Sequence, residues 1–313
     1  SLTVVETKSD GTVTTTATDA AGNKTRTVDS PDGSTVTTVE RADGVSTTAS
    51  ISADGRMTAQ AAIPGEVSAK ALSAGQAVDL PLPQLPLTRD TASAPAVTVR
   101  TGSSQPIKVS IPVERTTPGT VAVIVHADGN ETVVKTSQAA GNSVTAALPD
   151  GATVKIVDNS KSFTDVPAAS WAADAVAFAT ARELFSGTGG GAFTPGGDMT
   201  RAMLATVLAR YEGVDTSGGS SWYEAGMAWA VSQGISDGTS PNAPITREQL
   251  ATMLYRYAAA AGQDTSASGS LSAFSDGSSV SGYAREAMAW AVGSGLISGD
   301  GGALNPAGSA TRA

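Results

Sequence analysis

All 14 aromatic residues of this 313-residue chain lie at or after Phe163, and all seven lysines lie at or before Lys161. One continuous core does not partition its side chains this way, so the chain is expected to fold as different architectures joined near residue 160. Domain-size statistics agree, placing a chain of this length at roughly two or three domains. Residues 1–162 carry a net charge of −3 and residues 163–313 a net charge of −6. With a pI near 4.6 there is no basic face for phosphates, which argues against a nucleic-acid partner. Cysteine is absent and His126 is the sole histidine. Disulfides, thiol nucleophiles and two-histidine metal sites are thereby excluded, and no cofactor is called for. No apolar run reaches the roughly 18–20 residues of a membrane span. The opening SLTVVETKSD lacks the basic-then-apolar character of a signal peptide and reads like the interior of a longer protein.

The first part has a strict internal period. Glycines fall at 11, 22, 33, 44 and 55, and four of the five follow an aspartate, Asp10, Asp32, Asp43 or Asp54. Thr/Val-rich stretches such as TVTTTAT and STVTTVE run between them. Asp-Gly between β-formers signals a hairpin, because glycine supplies the positive φ that a tight primed turn needs. Residues 1–64 are therefore expected to form an antiparallel β-meander of strands seven or eight residues long. Threonine and serine on both faces leave little apolar area to bury, so the meander should be a single-layered ribbon or stalk.

Between residues 65 and 160 the strands turn apolar: AVTVR (96–100), IKVSIPV (107–113), TVAVIVHAD (120–128), SVTAALPDG (143–151) and ATVKIVD (152–158). Short strands with close turn signals imply a small antiparallel β-sandwich. The prolines of LPLPQLPL (80–87) cannot donate to a central ladder, so this segment should be an edge or an extended connection. His126 is expected as an ordinary strand residue, with no partner to share a metal.

After Phe163 the period changes to about 3.6 residues. WAADAVAFATARELFSG (171–187), WYEAGMAWAVSQGISDG (222–238) and YAREAMAWAVGSGLISGD (283–300) align on Trp171, Trp222 and Tyr283. Each is followed by a glycine-rich loop, a proline and a Thr-Arg step: Thr200-Arg201, Thr246-Arg247 and Thr311-Arg312. A second apolar helix follows twice, AMLATVLARYEG (202–213) and EQLATMLYRYAAAAG (248–262). Repeats of this length cannot bury their own faces singly and must pack together. Thr246 and Gln249 fit a capping box, and Thr200 can cap in the same way. Three arginines at helix N-termini, beside amides that a helix leaves unpaired, suit a carboxylate or phosphate; alternatively they pair with acids of neighbouring repeats. Trp229, Trp290 and Phe178 occupy equivalent positions expected to be buried between helices. The acidic loops 236–242 and 298–302 lack EF-hand spacing, so no metal site is expected.

These units resemble S-layer homology modules. The resemblance rests on the Phe-x-Asp starts (FTDV at 163–166, FSDG at 274–277), the helix closing on glycine, the Phe193-Thr194-Pro195 loop and the repeated Thr-Arg step. It covers residues 161–313, with modules at 163–213, 214–262 and 274–313, the last truncated at Ala313 where its second helix is due. The family pattern Thr-Arg-Ala-Glu is altered here, with Met203 and Gln249 at the glutamate position. The resemblance implies a non-catalytic, all-α, pseudo-threefold domain that anchors an exported protein to the cell wall. Its implied partner is a secondary cell-wall polysaccharide, often pyruvylated, held in grooves between modules. Arg201, Arg247 and Arg312 would meet the ketal carboxylate, and Trp171, Trp222 and Tyr283 would pack on sugar faces, beside Thr200 and Thr246. The implied location is extracellular and wall-associated. The alternative is a structural stalk or adhesin whose β region binds a host glycan or protein. No acid pair is singled out for glycosidase chemistry, so no catalytic residue is assigned.

Overall fold

The computed structural model describes residues 2–313. The glycines of the 11-residue period sit at φ between 83° and 88° and end five hairpins. The strands they separate are β1 (Leu2–Thr7), β2 (Val13–Thr18), β3 (Lys24–Asp29), β4 (Thr35–Glu40), β5 (Ser46–Ile51) and β6 (Met57–Ala62), each six residues long rather than seven or eight. They pair antiparallel in chain order. The turns differ from the two-residue primed type. Lys8 N donates to Thr12 O while Gly11 N donates to Lys8 O, and the other four turns repeat this pattern. Each is a three-residue loop in which the glycine forms a bulge, a geometry that needs positive φ only at the glycine. The preceding acid stabilises it: Asp10 and Asp32 each accept the amide two residues on, from Thr12 and Ser34 at 2.9 Å.

The ribbon does not stand apart from the apolar strands. After helix α1 (Gly65–Ala74) and β7 (Val78–Asp79), β8 (Ala96–Arg100) pairs parallel with β6. The first sheet thus runs β1-β2-β3-β4-β5-β6-β8-β14-β10-β11, taking in β10 (Thr120–Val125), β11 (Glu131–Val133) and β14 (Ala152–Asp158). A second sheet, β12-β13-β9-β7, adds β9 (Ile107–Pro112), β12 (Gln138–Ala140) and β13 (Ser143–Leu148). Val97, Val99, Val154 and Ile156 of the first sheet share one core with Val109, Ile111, Val144 and Leu148 of the second. Full burial of each such side chain is worth about 1.5–3 kcal/mol. Val45, Ala49, Ala59 and Ala61 extend this core under the inner hairpins, whereas β1 is exposed along its whole length. The Leu-Pro segment is an extended connection whose leucines 80, 82, 85 and 87 enter the core.

By its contacts the chain divides into two units: residues up to 162 together with 174–183, and residues 163–173 together with 184–313. Helix α2 (Ala173–Ala181) falls almost entirely in the first unit, although its sequence reads as the opening helix of the first repeat. The reason is Arg182, fully buried. Its guanidinium donates to Ser137 O (2.9 and 3.1 Å), Pro118 O (3.2 Å), Thr120 O (3.1 Å) and Phe178 O (3.3 Å). It also stacks on the Phe178 ring at 3.6 Å. Phe178 therefore serves as a platform for a buried cation.

The second unit contains α3 (Arg201–Tyr211), α4 (Glu224–Ser232), α5 (Arg247–Ala260) and α6 (Arg285–Gly293). Where α4 crosses α3, a Cβ at Gly226 would come within 2.8 Å of the Thr206 Cα, so only glycine allows this approach. Trp290 is buried against Tyr255, with ring centroids 5.6 Å apart, and Trp229 is half-buried against the α3–α5 core.

Candidate functional site

The residue before each Thr-Arg step lies in a closed ring of backbone hydrogen bonds. Met199 N donates to Ala310 O, Ala310 N to Ile245 O, and Ile245 N to Met199 O, each at 2.8 Å. Two further sets run round the three repeats in the opposite sense. Arg201 N meets Ala243 O, Arg247 N meets Gly308 O and Arg312 N meets Gly197 O; Ala202 N meets Pro241 O, Glu248 N meets Pro306 O and Ala313 N meets Pro195 O. Thr200 then caps α3 through Met203 N at 3.2 Å. Thr246 makes the full capping box with Gln249, at 3.3 and 3.1 Å. The expectation of free amides for an anion at these helix starts is thus corrected: neighbouring repeats and the cap hydroxyls already take them. A helix start buried in an interface needs such partners, since bulk water cannot reach its donors.

The prolines of these sets belong to one loop repeated three times, Phe193-Thr194-Pro195, Thr239-Ser240-Pro241 and Leu304-Asn305-Pro306. Its middle residue is left-handed in every copy, with φ of 59°, 47° and 50°. The Phe-x-Asp aspartate holds this turn. Asp165 accepts Phe193 N and Thr194 N at 2.8 and 2.7 Å, and Asp276 accepts Leu304 N and Asn305 N at 2.7 Å each. Those amide donors hold both carboxyls below their ordinary value of 3.8. Because folding depresses these pKa values, their stabilisation is complete at neutral pH. It begins to fade once the pH falls through the ordinary carboxylate value and is gone below the depressed one. Asp276→Asn, which offers a donor where an acceptor is needed, is expected to lower the thermal midpoint at pH 7 and flatten its acid dependence; differential scanning calorimetry from neutral to acid pH checks this.

The three arginines close the same cycle through side chains. Arg201 Nη1 lies 3.5 Å from Thr239 O, Arg247 Nε 2.8 Å from Leu304 O, and Arg312 Nε 2.9 Å from Phe193 O. Each guanidinium therefore clasps the equivalent carbonyl of the next repeat. Arg201 is also paired with Asp237 at 3.5 Å, and its Nε is buried without a hydrogen-bond partner. Arg312 adds Ser186 O at 2.8 Å and lies over Phe193 and Phe185, at 4.5 and 5.3 Å. Burial pushes its pKa down.

Trp171, Trp222 and Tyr283 stand out of the surface, 84%, 53% and 59% exposed. Among the described residues, two of the grooves between repeats hold these aromatics beside arginine. The first, about 260 Å³, brings Trp222 to Arg312, Arg210, Met203 and Phe185. The second, about 320 Å³, brings Tyr283 to Arg201, Asp237, Gln249 and Arg256. Both follow one plan: the arginine of one repeat, the second helix of the next, and the aromatic of the one after. Tyr283 is fixed by Glu248, a buried acid that accepts from the Tyr283 hydroxyl at 3.2 Å and from Ser281 N and Oγ at 3.0 and 2.7 Å. Burial and this carboxylate raise the phenol pKa. Trp171 and Arg247 line neither groove. Arg210 and Arg256, each nine residues after a Thr-Arg arginine, were missed from sequence; their matching place in the two second helices was the available signal. Among the described residues no cluster of three or more His, Asp or Glu side chains is placed to hold a metal ion, and no helix is long and apolar enough to cross a membrane.

The S-layer homology domain family model matches residues 162–203, 215–251 and 273–313. The chain is 30% identical over 127 residues to an S-layer protein of Bacillus thuringiensis subsp. finitimus and 29% identical over 127 residues to the S-layer protein sap of Bacillus anthracis. Each alignment covers 36% of this chain and 15% of the relative, so the chain spans only a small part of the length of these relatives. The repeated helix–loop–Thr-Arg units and the family matches coincide, and residues 162–313 are three tandem S-layer homology domains.

Proposed function

We propose that this protein is held on the bacterial wall by non-catalytic binding of a secondary wall polysaccharide, with pyruvylated sugars preferred, in the grooves between its S-layer homology modules. Domains of this family act in cell-surface anchoring, and the protein is extracellular and associated with the cell wall. The observation that carries the glycan reading is the repeated groove plan, in which an exposed aromatic, Trp222 or Tyr283, stands beside arginine. A sugar ring presents an apolar face to such a side chain while arginine recognises an attached carboxylate. The cyclic backbone hydrogen bonds support a pseudo-threefold assembly of the modules, with the arginine clasps keeping the groove walls in register.

Co-sedimentation of the full chain with purified wall material tests this. Retention on native walls, and a clear fall after mild-acid removal of pyruvyl groups, is the expected result. Equal recovery in the supernatant with and without walls would refute it.

A further inference from the structure

We infer that Arg256 is the residue that recognises the negative charge of the ligand, and that the Tyr283 groove rather than the Trp222 groove selects an acidic sugar. This rests on the glycan-anchoring reading and adds to it which groove and which guanidinium take the charge. The arginines of the Thr-Arg steps are already engaged. Arg201 divides its terminal nitrogens between Thr239 and the Asp237 carboxylate, which offsets its charge, and its Nε is buried away from any ligand. Arg247 holds Leu304 O, and Arg312 holds two carbonyls over two rings. Arg210, the counterpart of Arg256, is bound to Leu184 O and Thr216 Oγ1, both at 3.1 Å.

Arg256 differs from all of these. It is exposed, it lines the groove with Tyr283, Gln249, Thr252 and the Arg201–Asp237 pair, whose charges offset each other, and among the described residues it makes no hydrogen bond or ion pair. A free guanidinium presents a planar fork that matches a carboxylate bidentately, without first breaking an internal bond. The Trp222 groove also carries Arg210 and Arg312, but both already hold backbone carbonyls, and its remaining walls include Phe185, Met203 and Val207, which suit the less polar face of a neutral sugar.

The test is a titration of the full chain with pyruvylated wall polysaccharide and with the same polymer stripped by mild acid, for the wild type, Arg256→Gln, Arg256→Lys and Arg210→Gln. Arg256→Gln should lose about tenfold or more of the preference for the pyruvylated polymer, as expected for one charge-assisted bidentate contact. Its affinity for the stripped polymer and its thermal midpoint should be unchanged. Arg256→Lys should keep part of the preference, and Arg210→Gln should keep all of it. Full preference retained in Arg256→Gln, or preference lost only in Arg210→Gln, overturns the assignment. A wild type that binds both polymers alike overturns the acidic-sugar assignment while leaving anchoring intact, whereas one that binds neither overturns the anchoring reading and this inference with it.

Discussion

Replacing Arg182 by alanine is expected to destabilise the β unit by about 3–5 kcal/mol, the range for removing one member of a buried polar cluster. The fully buried guanidinium serves carbonyls of four residues, Pro118, Thr120, Ser137 and Phe178, drawn from the β region and the end of α2. Its removal strands those acceptors away from water and opens a void above Phe178. Lysine should rescue little, because a single ammonium cannot span sites arranged around a planar fork. The two units can be followed separately by denaturation. All four tryptophans lie outside the β unit, so tryptophan fluorescence reports the helical unit while the β-sheet circular dichroism band reports the other. A shift of the circular dichroism transition of about 0.5 kcal/mol or less, the level of an ordinary surface change, would show that the cluster is not a structural keystone.

The second large effect concerns the exposed aromatics. Trp222→Ala and Tyr283→Ala each remove the platform of one groove, at an expected loss of about 1.5–2 kcal/mol, or roughly 10- to 30-fold in affinity per groove. On a polymer that engages both grooves of one molecule the losses compound, because the second contact gains from the effective concentration set by the first. The double variant should therefore bind a long polysaccharide at least about 100-fold more weakly. Both side chains are more than half exposed, so their loss should leave the fold intact. Glu248 provides a useful contrast: it buttresses Tyr283 from within, and its removal would disturb both groove and packing.

The parts of this architecture that show in the sequence are those set by backbone requirements local to a few residues. Glycine every 11 positions fixes the hairpins because only the bulge residue needs positive φ, and Thr246 with Gln249 forms its capping box within one helical turn. The turn type escaped, since Asp-Gly serves two-residue and bulged loops alike and pairing register decides between them. Helix α1 also escaped: its short alanine-rich run lies among strand signals and owes its place to Pro64 at its start and Gly75 at its end. Long-range pairings were hidden for a different reason. Nothing in ATARELF (179–185) reveals that Arg182 ends among carbonyls some 45 to 64 residues earlier. Asp165 and Asp276 looked like part of a start motif, and their work on a turn 28–29 residues away emerges only in three dimensions. A helix start considered alone leaves its first amides open, whereas here the ring of repeats supplies their partners.

Calorimetric titration of pyruvylated wall polysaccharide into the full chain, run on the wild type and on the Trp222→Ala, Tyr283→Ala double variant, bears most directly on whether the intermodule grooves are the seat of binding. Saturable binding by the wild type and a loss of at least about 100-fold in the variant, with both proteins unfolding at the same temperature, is the outcome the groove geometry predicts. Equal affinity in the two proteins would place the polysaccharide elsewhere and contradict it.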